Sequence, residues 1–489
     1  LEPIIINNLS FAYPGQKELF NHCQLSLDSS WKLGLLGRNG RGKTTLLKIL
    51  QGKLPYQGKI QTPVTFSYYP FGVTDATDLT WNNLTAAIPQ LEQWQLESEL
   101  NLMATDPALI WQPFNTLSGG EQTRVMLAAL FAQDGAFPLL DEPTNHLDQH
   151  GRQLIADYLH QQKTGFIITS HDQVFLDQII DHTLVIEQHQ LILEQGNYQD
   201  YFDQKQNRDR HAINQNNHLL QEIHQLKQQQ QLKQQWAQKA EHEKVNNSHA
   251  DKGFIGHQAA KMMKKSTQMK GRLDKAITDR QGLLTDIEKI VPLTINALPT
   301  HQQRLLTIDK LSLAYPGHPL FRNLSLQISP HDQVILAGDN GSGKSSLIQA
   351  IRGTFAGEQT GTITISNKLM ISYVRQHYSD NQGTLKEFAK SNHLRYDDLL
   401  NLLRKLGMAR ETFTVPIQDM SMGQQKKVEL ARSLAQPANL YIWDEPLNYL
   451  DTYNQEQLIQ LIKQSRPPML IIEHDRHFID TIATRKINI

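Results

Sequence analysis

At 489 residues and 55.9 kDa the chain is long enough for two or three domains, each burying its own core, so a single small module is excluded. Its 48 Lys and Arg balance 49 Asp and Glu to a formal net charge of -1, so any signal for nucleic acid or membrane has to be local. One cysteine, Cys23, excludes an internal disulfide and a Cys-based metal cluster and is expected to be a small core residue in a reducing cytosol.

No apolar run approaches the roughly 18 residues of a membrane span, and Leu1 does not open a signal-peptide pattern. A soluble, cytoplasmic chain is expected. In chain order, LSFAYPG (Leu9 to Gly15) precedes an apolar strand, Leu33 to Leu36, and then GRNGRGKT, Gly37 to Thr44, which opens a helical pattern. LSGGEQ, Leu117 to Gln122, starts another helix. The apolar run Phe137 to Leu140 ends in Asp141 and Glu142, and a further apolar strand leads into ITSHD with His171.

The segment Asp203 to Thr300 follows, with 16 basic and 10 acidic residues. Its stretch Lys244 to Lys275 holds 8 basic residues against Asp251 and Asp274. Helical spacing flanks this stretch: Ile223, Leu226, Leu232 and Trp236 before it, Met269, Leu273, Ile277, Leu284 and Ile287 after it. Asn246, Asn247, Gly253 and Gly256 interrupt the pattern, which predicts two antiparallel helices joined by a basic loop. An arm of about 40 residues reaches roughly 60 Å. A Gln-rich coiled coil acting as a spacer is one reading. The other is a phosphate-contacting, base-wedging tip made by Lys252, Lys261, Lys264 and Lys265 with Phe254 and Ile255.

The first pattern then recurs. LSLAYPG (Leu311 to Gly317), Val334 to Ala337, GDNGSGKS (Gly338 to Ser345), MSMGQQ (Met420 to Gln425), Leu440 to Trp443 with Asp444 and Glu445, and IIEHD with His474 stand 301 to 303 residues beyond their first copies. So constant an offset means duplicated domains. In each glycine loop the backbone N–H groups can close on phosphate oxygens at a helix N-terminus. Lys43 and Lys344 reach the terminal phosphates, and Thr44 and Ser345 offer a hydroxyl to magnesium. Asp141 and Asp444 can hold that magnesium, and Glu142 and Glu445 can polarise an attacking water. His171 and His474 suit contact with a γ-phosphate.

These motifs, in this order and twice over, resemble the ABC ATPase family. The expected fold is α/β: two P-loop ABC-type ATPase domains, residues 1–202 and 301–489, joined by a long antiparallel α-helical hairpin linker, 203–300. Tandem domains, a long helical linker and no membrane span resemble the ABC-F class, which acts on ribosomes. KLGLLGRNGRGKTTLL, FPLLDEPTNHLD, ISYVRQ and LYIWDEPLNYLD are similar to its Lsa and Vga antibiotic-resistance branch. That resemblance implies an ATP- and Mg2+-dependent ATPase, monomeric through intramolecular pairing of its domains. It further implies a protein that binds the exit site of the 70S ribosome, reaches 23S rRNA and P-site tRNA with its linker, and removes lincosamides, pleuromutilins and streptogramin A compounds. A housekeeping factor for stalled ribosomes, the ATPase subunit of a transporter and a DNA-associated ATPase are the rivals.

Head-to-tail pairing, also implied by the resemblance, gives two composite nucleotide sites. The first joins Tyr13 for adenine stacking, Gly37, Asn39, Gly40, Gly42, Lys43, Thr44, Thr45, Asp141, Glu142 and His171 to Ser421, Gly423 and Gln424. The second joins Tyr315, Gly338, Asn340, Gly341, Gly343, Lys344, Ser345, Ser346, Gln376, Asp444, Glu445 and His474 to Ser118, Gly119 and Gly120. Asp148 and Asp451 match the loop that couples the sites. Phe71 stands where the second copy has the magnesium and water ligand Gln376, and Met422 interrupts the signature facing the same first site. The first site is therefore expected to turn ATP over slowly while the second sets the rate, unless another group replaces the glutamine.

Overall fold

Strands at the start of each copy alternate apolar and polar residues, as a sheet with one face on a core requires. In β1 (Ile4–Ala12), Ile4, Ile6, Leu9 and Phe11 are buried, and the change of phase between Ile6 and Leu9 falls at a register shift where Asn8 takes φ 55. A computed structural model describes residues 3–489 except 16–17, 146, 188, 246–270, 273, 279–290, 340 and 377. Two compact units emerge: Leu1–Gln199 with Ile290–Ile489, and Asp200–Lys289.

In the first unit each copy has a three-stranded antiparallel sheet and a mainly parallel one. β1 pairs with β2 (Glu18–Leu27) and β4 (Gln57–Gln61). The larger sheet runs β5 (Thr65–Tyr69), β6 (Ala136–Asp141), β7 (Phe166–Thr169), β3 (Lys32–Leu36), β8 (His182–Glu187) and β9 (Gln190–Gln195). The second copy repeats this with β10 (Leu306–Tyr315) between β11 (His318–Ile328) and β13 (Glu358–Ile365). Its larger sheet has the order β14 (Ile371–Val374), β15 (Leu440–Asp444), β16 (Met469–Ile472), β12 (Gln333–Ala337) and β17 (Arg485–Asn488). β6 and β15 are continuous apolar runs because both faces of these sheets are covered. Cys23 is fully buried, as expected for a small core residue.

Helices follow the strand ends that matter. α1 (Lys43–Leu50), α2 (Thr80–Ala87), α3 (Gln93–Leu102), α4 (Gly119–Phe131), α5 (Gln149–Gln161) and α6 (Gln173–Ile179) belong to the first copy. α7 (Tyr198–Val245) continues from it into the second unit, where residues 271–272 and 274–278 are also helical. In the second copy come α8 (Lys344–Ile351), α9 (Leu385–Ser391), α10 (Tyr396–Lys405), α11 (Met422–Ala435), α12 (Thr452–Ser465) and α13 (Arg476–Ile482). The six tip residues, Lys252, Phe254, Ile255, Lys261, Lys264 and Lys265, lie outside the described residues, as does Asn340.

Candidate functional site

Each glycine loop joins the C-terminal end of a central strand to a helix, β3 to α1 and β12 to α8. Gly42 and Gly343 cap those helices at φ 100 and 98, in the left-handed region. A Cβ at either would stand 3.0 Å from Phe20 or Leu320, so glycine is required both by the backbone and by packing. Gly37, Gly40, Gly338 and Gly341 also have positive φ. Lys43 Nζ donates to Gly37 O at 2.7 Å and Asn39 Oδ1 at 3.3 Å, while Lys344 Nζ donates to Gly338 O at 2.9 Å and Asp339 O at 2.8 Å. Both ammonium groups thus lie curled inside their own loops. Burial lowers the pKa of both, while Glu142 opposes this at Lys43 and Glu445 at Lys344.

The hydroxyl and first carboxylate meet in both copies: Thr44 Oγ1 donates to Asp141 Oδ2 at 2.9 Å, and Ser345 Oγ to Asp444 Oδ2 at 3.2 Å. Such hard oxygen donors fit magnesium, and Asp444 Oδ1 is buried with no hydrogen-bond partner, as an oxygen awaiting a cation would be. Asp444 has its pKa pushed up to about 6 by burial and by the neighbouring Glu445. Asp141 is more heavily engaged, accepting also from Tyr68 Oη at 2.9 Å and Thr169 Oγ1 at 2.7 Å. Neither residue was singled out from the sequence. Tyr68 aligns with Tyr373 of the repeat, but Thr169 aligns with Ile472, so its role carries no repeat signal.

Both second carboxylates sit just past their strands in the left-handed region, Glu142 at φ 55 and Glu445 at φ 48, where a glutamate stays only if its surroundings hold it. The holding bonds are Glu142 N to Thr169 O at 3.1 Å and Glu445 N to Ile472 O at 2.9 Å. Their side chains differ. Glu445 Oε2 accepts from Gln376 Nε2 at 3.1 Å and Asn448 Nδ2 at 2.7 Å. Glu142 Oε1 and Oε2 are buried without a hydrogen bond, with His171 Nε2 3.3 Å from Oε1, and burial pushes the Glu142 pKa up to about 7. Strand pairing puts Tyr69 opposite Leu140 and Val374 opposite Trp443, so Phe71 and Gln376 occupy equivalent positions two residues on. Burial likewise lowers the pKa of His171 and His474, favouring neutral rings.

Ser118 and Ser421 cap α4 and α11 through reciprocal boxes, with Glu121 and Gln424 returning to the serine N–H at 2.8 and 3.0 Å. The Gln424 side chain is thereby committed to its own helix. At the first site the two copies meet. Asn39 N donates to Asp451 Oδ2 at 2.8 Å, Asn39 Nδ2 to Tyr449 O at 2.9 Å, and a Cβ on Gly423 would lie 3.4 Å from Asn39 Nδ2. At the second, the Asp148 carboxylate acts electrostatically on Lys344 and His474, and Gly119 has open space beside it. Gly120 packs near Leu147, the residue before Asp148. Tyr13 and Thr45 share a 3.2 Å hydrogen bond, while Tyr315 is 39% exposed and tilts against Phe355 at 5.2 Å between ring centroids. Ser346 is half-buried in the first turn of α8.

Sequence reasoning missed a buried charge network behind the second site. Glu429, with no side-chain exposure, accepts from Arg375 Nε at 3.0 Å and Arg432 Nη2 at 2.7 Å, which hold its carboxyl down to about 2 against the opposing effect of burial. Fully buried Lys426 and Glu473 lie nearby, and burial drives the former down to about 8 and the latter up to about 7. The first copy has Thr123, Met126 and Ser170 at the positions of Lys426, Glu429 and Glu473.

A family model described as ABC transporter matches residues 20–145 and 321–448, more than half of the chain. The ribosome protection protein VmlR of Bacillus subtilis (strain 168) is 28% identical over 493 residues, covering 99% of this chain and 86% of its own. The ATP-binding protein Uup of Caulobacter vibrioides is 26% identical, covering 97% and 75% respectively. Among solved structures, an archaeal ribosome recycling factor, aABCE1, crystallised with stalk protein aP1, superposes with TM-score 0.63 at 18% identity over 98% of this chain and 87% of that one.

Proposed function

The chain belongs to the ABC transporter family and is an ATPase with two such domains in tandem; from that premise we propose that it is an ABC-F protein that binds the ribosomal exit site and protects the large subunit from antibiotics. The observation that carries this reading is the similarity to a ribosome protection protein along 99% of the chain, the inserted segment included. Among the described residues, no helix is long and apolar enough to cross a membrane. The basic stretch Lys244 to Lys275 supplies cations for ribosomal RNA or tRNA.

In the proposed cycle ATP binds between the glycine loop of one copy and the capped serine helix of the other. Lys43 and Lys344 turn from their loop carbonyls to the terminal phosphates, and Tyr13 and Tyr315 stack on adenine. Thr44 with Asp141, and Ser345 with Asp444 and Gln376, would hold Mg2+, which offsets phosphate charge when bound. Glu142 and Glu445 orient and deprotonate the attacking water, and neutral His171 and His474 donate to the γ-phosphate. Asp451 and Asp148 link each loop to the opposite copy. Closure on two ATP drives the linker tip, with Phe254 and Ile255, toward tRNA and the drug pocket. Hydrolysis reopens the clamp.

The test is co-sedimentation of the Glu142→Gln, Glu445→Gln double variant with 70S ribosomes and ATP, together with expression in a susceptible strain. Retention on ribosomes with resistance to lincosamides, pleuromutilins or streptogramin A is the expected result. Retention without resistance assigns a housekeeping factor. Recovery with membranes or DNA instead of ribosomes overturns both.

A further inference from the structure

α11 touches both nucleotide sites. Its N-terminus, capped by Ser421, lies against the glycine loop of the first: a Cβ on Gly423 would stand 3.0 Å from Tyr449 O and 3.4 Å from Asn39 Nδ2. Two turns further along the same helix, Glu429 grips the chain that leaves β14 toward the second site. Glu429 Oε1 accepts from Arg375 N at 3.3 Å and from Arg375 Nε at 3.0 Å. Its Oε2 accepts from Arg375 Nη2 at 3.2 Å and from Asn381 Nδ2 at 3.0 Å. Arg432, on the next turn of α11, donates to Glu429 Oε1 at 2.7 Å and also to Tyr373 O.

Arg375 is thereby held by main chain and guanidinium at once. A fork-to-carboxylate pairing fixes angle as well as distance, and Glu429 has no side-chain exposure through which water could loosen it. The next residue is Gln376, whose Nε2 donates to Glu445 Oε2 at 3.1 Å. The grip of α11 therefore sets where that glutamine can sit.

The first copy is an internal control. Arg375, Gln376, Glu429 and Arg432 correspond there to Pro70, Phe71, Met126 and Ala129, none of which carries a charge or a side-chain donor. A buried ion cluster is no more stabilising than well-packed apolar residues in its place. What the cluster adds in the second copy is a fixed geometry between α11 and Gln376.

We propose that Glu429 and Arg375 are positioning residues that carry closure of the first nucleotide site, through α11, to Gln376 and Glu445 of the second. Triphosphate between the first glycine loop and Ser421 holds the helix, the helix holds Arg375, and Gln376 keeps Glu445 aimed at the attacking water. The first copy lacks the counterpart route from α4 to Phe71. This rests on the composite sites proposed above.

The experiment measures ATP turnover in the full chain carrying Glu142→Gln, so that hydrolysis reports the second site. In that background Arg375→Met should lower kcat about tenfold with KM for ATP unchanged. Arg375→Lys keeps the charge but loses the fork, should lower kcat in the same direction, and decides the matter if the methionine variant does not fold. Gly423→Ala obstructs closure of the first site and should lower kcat as well, and adding it to either Arg375 variant should cause no further loss. Losses that multiply when the variants are combined, a raised KM, or full turnover without Arg375 overturn the link and leave the composite sites standing. Full turnover in Gly423→Ala removes the composite first site and the link with it.

Discussion

Asp451 joins the two copies of the ATPase domain to each other: its Oδ1 accepts from Asn454 N at 2.9 Å, capping α12, while its Oδ2 accepts from Asn39 N at 2.8 Å in the opposite glycine loop. One carboxylate, only 2% exposed, thus ties the start of a helix to a phosphate site 412 residues away in sequence. Any movement of that loop is felt at the helix start.

Asp451→Ala should therefore cost about 1 kcal/mol of stability through the lost cap. It should lower ATPase activity more than that loss of folded protein explains. Thermal unfolding and steady-state turnover on the same samples check this, and Asp451→Asn, which keeps the cap, separates capping from coupling. Normal turnover in both variants would remove the coupling role.

The contrast between Glu142, whose carboxylate has only His171 beside it and accepts no hydrogen bond, and Glu445, held by Gln376 and Asn448, predicts unequal catalytic weight. Glu445→Gln should reduce ATPase activity far more than Glu142→Gln. Adding Phe71→Gln to the Glu445→Gln variant should raise the residual rate. Equal losses in the two single variants would contradict this asymmetry.

Glu429, with no side-chain exposure, neutralises Arg432, 10% exposed, and Arg375, which is 25% exposed and also pairs with Asp380. Removing one partner of such a cluster leaves buried charge uncompensated, so Glu429→Ala should destabilise by about 3 to 5 kcal/mol. Chemical denaturation would register the change. Met126→Ala, at the equivalent position of the first copy, leaves no orphaned charge and should cost less.

Burial raises the Glu473 pKa to about 7, above its unfolded value. A carboxyl shifted upward contributes stability that is fully present below its unfolded pKa and is lost as pH rises through the folded one. Relative to wild type, Glu473→Gln should gain thermal stability between pH 5 and 8, by roughly a few kcal/mol at the upper end. A pH-independent difference in melting temperature would assign the raised pKa elsewhere.

Lys264→Glu with Lys265→Glu should weaken ribosome co-sedimentation, with its salt dependence reduced, while leaving ATPase activity near wild type. Unchanged co-sedimentation would detach the basic stretch from ribosome contact.

The sequence by itself determined the duplication, both glycine loops, the paired carboxylates, the capped signature serines and the long helix before the basic stretch. Each depends on local backbone requirements and short-range spacing: Gly42 and Gly343 at positive φ, Ser118 and Ser421 with a partner three residues on. Phe71 opposite Gln376 was also legible, because alignment of the repeats reproduces the strand register. Only the tertiary structure decided that Tyr68 and Thr169 occupy Asp141, that Asp451 reaches Asn39, and that Glu429 closes a buried ion cluster behind one site alone. These contacts join residues distant along the chain, and burial sets their electrostatics; neither property is written in the spacing of a motif.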